Sequence, residues 1–77
     1  MPTIQRLANV TIYIYPDDHA PPHFHVRGPH SNIQIEIKTL QVLRGSYRPV
    51  DLAEAITWAA RNQPLLREKW REFNERE

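Results

Sequence analysis

The chain has 77 residues, seven prolines, two glycines, no cysteine and a net charge of +1. That length makes one domain, residues 1–77, with a thin core. The absence of cysteine excludes disulfides and thiolate metal sites, and a nearly balanced charge points neither toward nor away from nucleic acid. The opening MPTIQRLANV is not a signal peptide and no apolar run is long enough to span a membrane, so a soluble cytoplasmic protein is expected.

In chain order, the periodicity changes once, near residue 46. Residues 1–46 read as a sheet and residues 47–77 as helix. Thr3–Leu7 and Val10–Tyr15 flank a short turn at Ala8-Asn9. Val10, Ile12 and Ile14 fall on one face, and Thr11, Tyr13 and Tyr15 on the other. Pro16–Pro22 is a connection. His23–Arg27 resumes strand character, with Phe24 and Val26 facing one way and His23 and His25 the other. After a turn at GPHSN (residues 28–32), Ile33, Ile35 and Ile37 alternate with Gln34, Glu36 and Lys38, the clearest strand pattern in the chain. Gln41–Arg44 reads as a further strand that Gly45-Ser46 ends.

Pro49 suits a first helical position, with Asp51 well placed in the first turn against the helix dipole. Leu52, Ile56, Ala59, Gln63, Leu66, Trp70 and Phe73 then form one apolar stripe at alternating spacings of three and four. Pro64 interrupts that stripe without changing its phase, which predicts a kinked helix or two helices, with Asn62 as cap of the second. The expected fold is α+β: an antiparallel sheet of three to five strands, covered on one face by a C-terminal helix kinked or broken near Pro64. The opposite sheet face is left open. It carries Tyr13, Tyr15, His23, His25, Gln34 and Glu36.

Three of the four histidines lie in DDHAPPHFHV, residues 17–26. His23 and His25, two apart on a strand, point their rings the same way. Together with His19 and a carboxylate such as Asp18 they make a candidate site for zinc, iron, manganese or nickel. The same residues suit acid–base chemistry. Two imidazoles titrate near neutrality, with Tyr13, Tyr15, Arg27 and Arg44 within reach of a phosphate. A third reading is structural, with His19 bonded to the loop backbone and His23 and His25 on a solvated surface. Trp58 lies off the helical stripe, as a flank of the core or an exposed anchor for another chain.

MPTIQR, YPDDHAPPHFHV and LLREKWREF together resemble a family of small bacterial proteins, domain-of-unknown-function family 4160. Asp18, His19, Pro21, Pro22, His23, His25 and Val26 occupy that family's Asp/Glu-His-x-Pro-Pro-His-x-His-Val positions. Ala8-Asn9 stands where the family often has Gly-Gly, and Pro64 is an unusual interruption of the last helix. The resemblance implies a partner, a cognate small protein encoded by an adjacent gene, in an arrangement like a toxin–antitoxin pair. With no helix-turn-helix and no basic arm, the chain is expected on the toxin side, acting on RNA as a ribonuclease-like or nucleic-acid-modifying enzyme. In that reading His23 and His25 are acid and base, His19 is a positioning or third catalytic group, and Arg27 contacts a phosphate. Tyr13, Tyr15, Glu36 and Trp58 are candidate binding residues. The alternatives are a metal-binding domain on Asp18, His19, His23 and His25 with a divalent transition metal, or a protein-interaction module, with a homo-oligomer possible.

Overall fold

A computed structural model describes residues 3–74. Alternating apolar residues build five antiparallel strands in a simple up-and-down order: β1 (Thr3–Arg6), β2 (Thr11–Tyr13), β3 (His23–Gly28), β4 (Ser31–Glu36) and β5 (Val42–Ser46). Two helices follow, α1 (Pro49–Ala60) and α2 (Gln63–Asn74). The fold is α+β with an open sheet.

Register sorts the side chains. Ile12 pairs with Val26 and Val26 with Ile33, while Phe24 pairs with Ile35. These residues, with Val10, Ile14 and Ile37, are buried against Ala55, Ala59, Leu66 and Trp70 of the helices. The adjacent row, Tyr13, His25, Gln34 and Arg44, points to the other face.

Some expectations need correction and others extension. β5 does not stop at Arg44 but runs on through Gly45 to Ser46. Gly45 has φ of 113°, and the strand passes so close to β4 that a Cβ there would meet Asn32 O and sit 2.9 Å from Ile33 Cα. In α1 the fully buried line is Asp51, Ala55 and Ala59, with Leu52 and Ile56 flanking it. The small alanines leave space for the helix to approach the sheet. Asp51 does more than complement the helix dipole. It has no exposed surface, accepts a 2.7 Å bond from Ser31 Oγ, and pairs with Arg48 through Nε and Nη2, each at 3.2 Å. The Arg48 and Ser31 bonds hold its carboxyl below the usual range and pin the start of α1 to the start of β4.

The helix breaks at Arg61-Asn62, just ahead of Pro64, as a proline at the second helical position requires. Asn62 does not cap α2 with its side chain. Its Nδ2 donates instead to the Trp58 carbonyl at 2.8 Å, closing the end of α1. Gln63, the one polar member of the stripe, donates from Nε2 to the Ile37 carbonyl at 2.8 Å and ties the start of α2 to the sheet.

Candidate metal centre

The connection between β2 and β3 folds back over the open sheet face. Asp17 turns the chain with φ of 58°, and the Ala20–Pro21 peptide is cis. The end of α2 fixes the turn. Asn74 Oδ1 accepts from the Asp18 backbone N–H at 2.6 Å, and Asn74 Nδ2 donates to the Tyr15 carbonyl at 3.1 Å. Held in this way, Asp18 places Oδ2 3.1 Å from His23 Nε2 and 3.1 Å from His25 Nε2. The three ligand atoms lie within 4.8 Å of one another.

His23 and His25 are therefore not on a solvated surface. They are 2% and 8% exposed, under the Asp18 loop on one side. The Trp70 ring packs on His23 with centroids 5.2 Å apart, and Tyr15 meets His25 edge-on at 4.6 Å.

The tautomer of His23 follows from its neighbours. Nδ1 lies 2.8 Å from the Pro21 carbonyl, which can only accept, so Nδ1 carries the proton. In the neutral ring Nε2 is then a bare lone pair. It is buried, makes no hydrogen bond, and is close to Asp18 Oδ2 without the alignment of a hydrogen bond. Two lone pairs at that distance repel unless a cation lies between them. A backbone carbonyl fixing Nδ1–H while Nε2 faces a carboxylate is how metal-binding histidines are oriented. Ligand atoms bound tetrahedrally at 2.0–2.1 Å lie about 3.3 Å apart; the 3.1 Å separations between Asp18 and each ring are close to this, while the two Nε2 atoms, within 4.8 Å of each other, would draw together around an ion.

Burial disfavours the charged form of His25 and outweighs its bond to Asp18, so its pKa lies below 6.5. Burial also works against ionisation of Asp18. The bond from His25, the backbone N–H of His19 and the nearby imidazoles outweigh it, and its carboxyl lies below 3.8. Near pH 7 this gives a carboxylate beside a neutral imidazole, the protonation states a metal needs. Both depressed values act in the same direction on stability. The His25 contribution is complete above about pH 6.5 and declines as pH falls toward its folded value; that of Asp18 declines below about pH 3.8. The metal-free protein should therefore lose melting temperature steadily from pH 7 to pH 4, and His25→Asn should flatten the upper part of that decline. A melting temperature that is level or rising over this range contradicts the assignment.

A family model described as a domain of unknown function, DUF4160, matches residues 9–71. The chain belongs to this family. No curated protein and no solved structure matches it. No helix among the described residues is long and apolar enough to cross a membrane.

In this DUF4160 chain the other candidate residues are scattered. His19 stands outside the cluster. Its side chain is 82% exposed, with Nδ1 3.3 Å from Asp18 Oδ1 and its ring 5.8 Å from that of His23, and it is not one of the three converging ligands. Arg27 is on the same face, its guanidinium over the Tyr15 ring at 5.6 Å, and Tyr13 and Tyr15 stack with centroids 5.8 Å apart. Glu36 pairs with His23 across the strands, but its carboxylate accepts from Thr39 Oγ1 at 2.8 Å. Trp58, on α1, is not part of the cluster; it is half-buried, packing against the core and lining a surface cleft with Leu7 and Val50. Arg44 and Gln34, by contrast, line with His19, Pro21, His23 and Leu43 a cleft of about 250 Å³ that reaches the His23 ring. Asn74 is the positioning residue that the sequence does not suggest, because its partners Tyr15 and Asp18 are more than fifty residues away.

Proposed function

We propose that this domain binds one divalent transition-metal ion through Asp18 Oδ2, His23 Nε2 and His25 Nε2. The carrying observation is the buried, unbonded Nε2 of His23, fixed by the Pro21 carbonyl and turned toward the carboxylate. Two imidazoles and one carboxylate suit zinc, iron(II), nickel or manganese, and three protein ligands leave positions for water or a substrate. Such an ion acts as a Lewis acid and lowers the pKa of bound water. The protein's part is to hold two imidazoles against one carboxylate, to shield them with Trp70 and the Asp18 loop, and to admit a ligand through the cleft beside Arg44 and Gln34.

The toxin-like, RNA-directed role is a second reading, with a cognate small protein as partner. Arg44 and Gln34 favour it, because a guanidinium and an amide beside the cluster suit a phosphodiester. His23 and His25 fit less well as a separate acid and base, since they share one carboxylate oxygen and are both buried.

Protein purified without a histidine tag should carry close to one equivalent of metal after loading with zinc, nickel or manganese, and its melting temperature should rise with free metal. Less than about one-tenth of an equivalent, with no thermal shift, defeats the metal reading.

A further inference from the structure

A second cleft, of about 450 Å³, lies toward the other end of the open face, between the β1–β2 turn and the β3–β4 turn. Its floor is a row across three strands: Arg6 pairs with Thr11, and Thr11 with Arg27. Cross-strand partners point to the same face, so two arginines flank one threonine, on backbones about 10 Å apart at the usual strand spacing. Arg48 and His30 line the same cleft, and no carboxylate does. Among the described residues neither Arg6 nor Arg27 has an ion-pair partner within 4 Å, whereas Arg48 is held by Asp51. Arg27 is steadied by the Tyr15 ring.

The chain as a whole is nearly neutral, so this concentration of cations is local. Arg6 and Arg27 line a cleft that no carboxylate lines, Arg27 with its guanidinium resting over the Tyr15 ring, and guanidiniums without an ion-pair partner suit planar, bidentate recognition of an anion.

We propose that this cleft binds phosphate groups, with Arg6 and Arg27 each engaging one and Thr11 donating between them. The cleft is lined by none of Asp18, His23 and His25, although Arg27 packs on Tyr15, which meets His25, and the proposal does not rest on the metal reading. Its chemistry is met by a small diphosphate or by the backbone of single-stranded RNA.

The test uses metal-free protein and two probes, pyrophosphate by calorimetry and a fluorescent single-stranded oligouridylate by anisotropy. Arg6→Gln and Arg27→Gln are compared with Arg67→Gln, an equal loss of charge at an exposed position on α2. Melting temperatures identify any variant that is misfolded. Arg6 is exposed on β1 and does not pack on Tyr15, so Arg6→Gln reports on binding without disturbing the Arg27–Tyr15 stack. Each cleft variant should weaken binding about 10-fold while Arg67→Gln leaves it within about 2-fold, and for the oligonucleotide each should lower the salt slope by about one. Pyrophosphate binding alone assigns a small phosphorylated ligand, and tighter oligonucleotide binding assigns a nucleic-acid backbone. If neither probe binds at about 50 mM salt, or if Arg67→Gln costs as much as Arg6→Gln, the proposal is overturned.

Discussion

Asp18→Ala is expected to lower zinc affinity by about 100-fold or more, because even outer partners of metal ligands are worth about 10–100-fold and Asp18 is one of three direct donors. Its removal also leaves the buried Nε2 of His23 and of His25 without an anion to balance a cation. Asn74→Ala should fall between this variant and the wild type, at about 10-fold, since it keeps every ligand and releases only the loop that aims Asp18. Asp18→Asn separates charge from shape, because the amide retains the size of the carboxylate and is a much poorer ligand. Calorimetric titration of the three variants against the wild type checks the order. Wild-type affinity in Asp18→Ala and Asp18→Asn, with the fold retained, rules Asp18 out as a ligand.

Gly45→Ala should be the most damaging exposed substitution in the sheet. A φ of 113° is a conformation that L side chains rarely adopt, and the new Cβ would be driven into Asn32 O of the neighbouring strand. Backbone strain alone costs about 1–3 kcal/mol, and the collision adds to it, so a loss of about 3 kcal/mol or more is expected. In a domain this small that lowers the melting temperature by more than about 10 °C. Gly28→Ala is the graded comparison. Its Cβ would lie 2.7 Å from Asn9 O, but Gly28 needs no positive φ and the β1–β2 turn can give way. Thermal melts of both variants check this; a Gly45→Ala protein melting within about 2 °C of the wild type would show that β5 does not need its glycine.

Where the fold is legible in the sequence, short-range periodicity is the reason. His23, Phe24, His25 and Val26 sort to opposite faces by simple alternation, and Ile33, Ile35 and Ile37 mark the core side. Pro49 and Pro64 locate both helix starts, since proline fits the first turn and little else in a helix. The burial of the histidines is not legible in the same way. It depends on a loop, residues 16–22, whose path is set by Asn74 at the far end of the chain. For the same reason His19 reads as good a ligand as Asp18. Both are close to His23 in sequence, and only the turn at Asp17 decides which one reaches back over the sheet. The structural role of Asp51 is hidden because a first-turn carboxylate has a sufficient reason on the surface, and its bond to Ser31 is a tertiary contact.

The most direct test of the metal centre follows the imidazole nitrogens by ¹⁵N NMR as zinc is added to untagged protein. His30, exposed and outside the cluster, serves as the reference in the same spectrum. The Nε2 resonances of His23 and His25 should shift together and saturate at one equivalent, while His30 stays in place and His19, which touches Asp18, shifts less than either. No movement of His23 and His25 at equimolar zinc, or a response carried by His19 or His30 instead, contradicts the assignment.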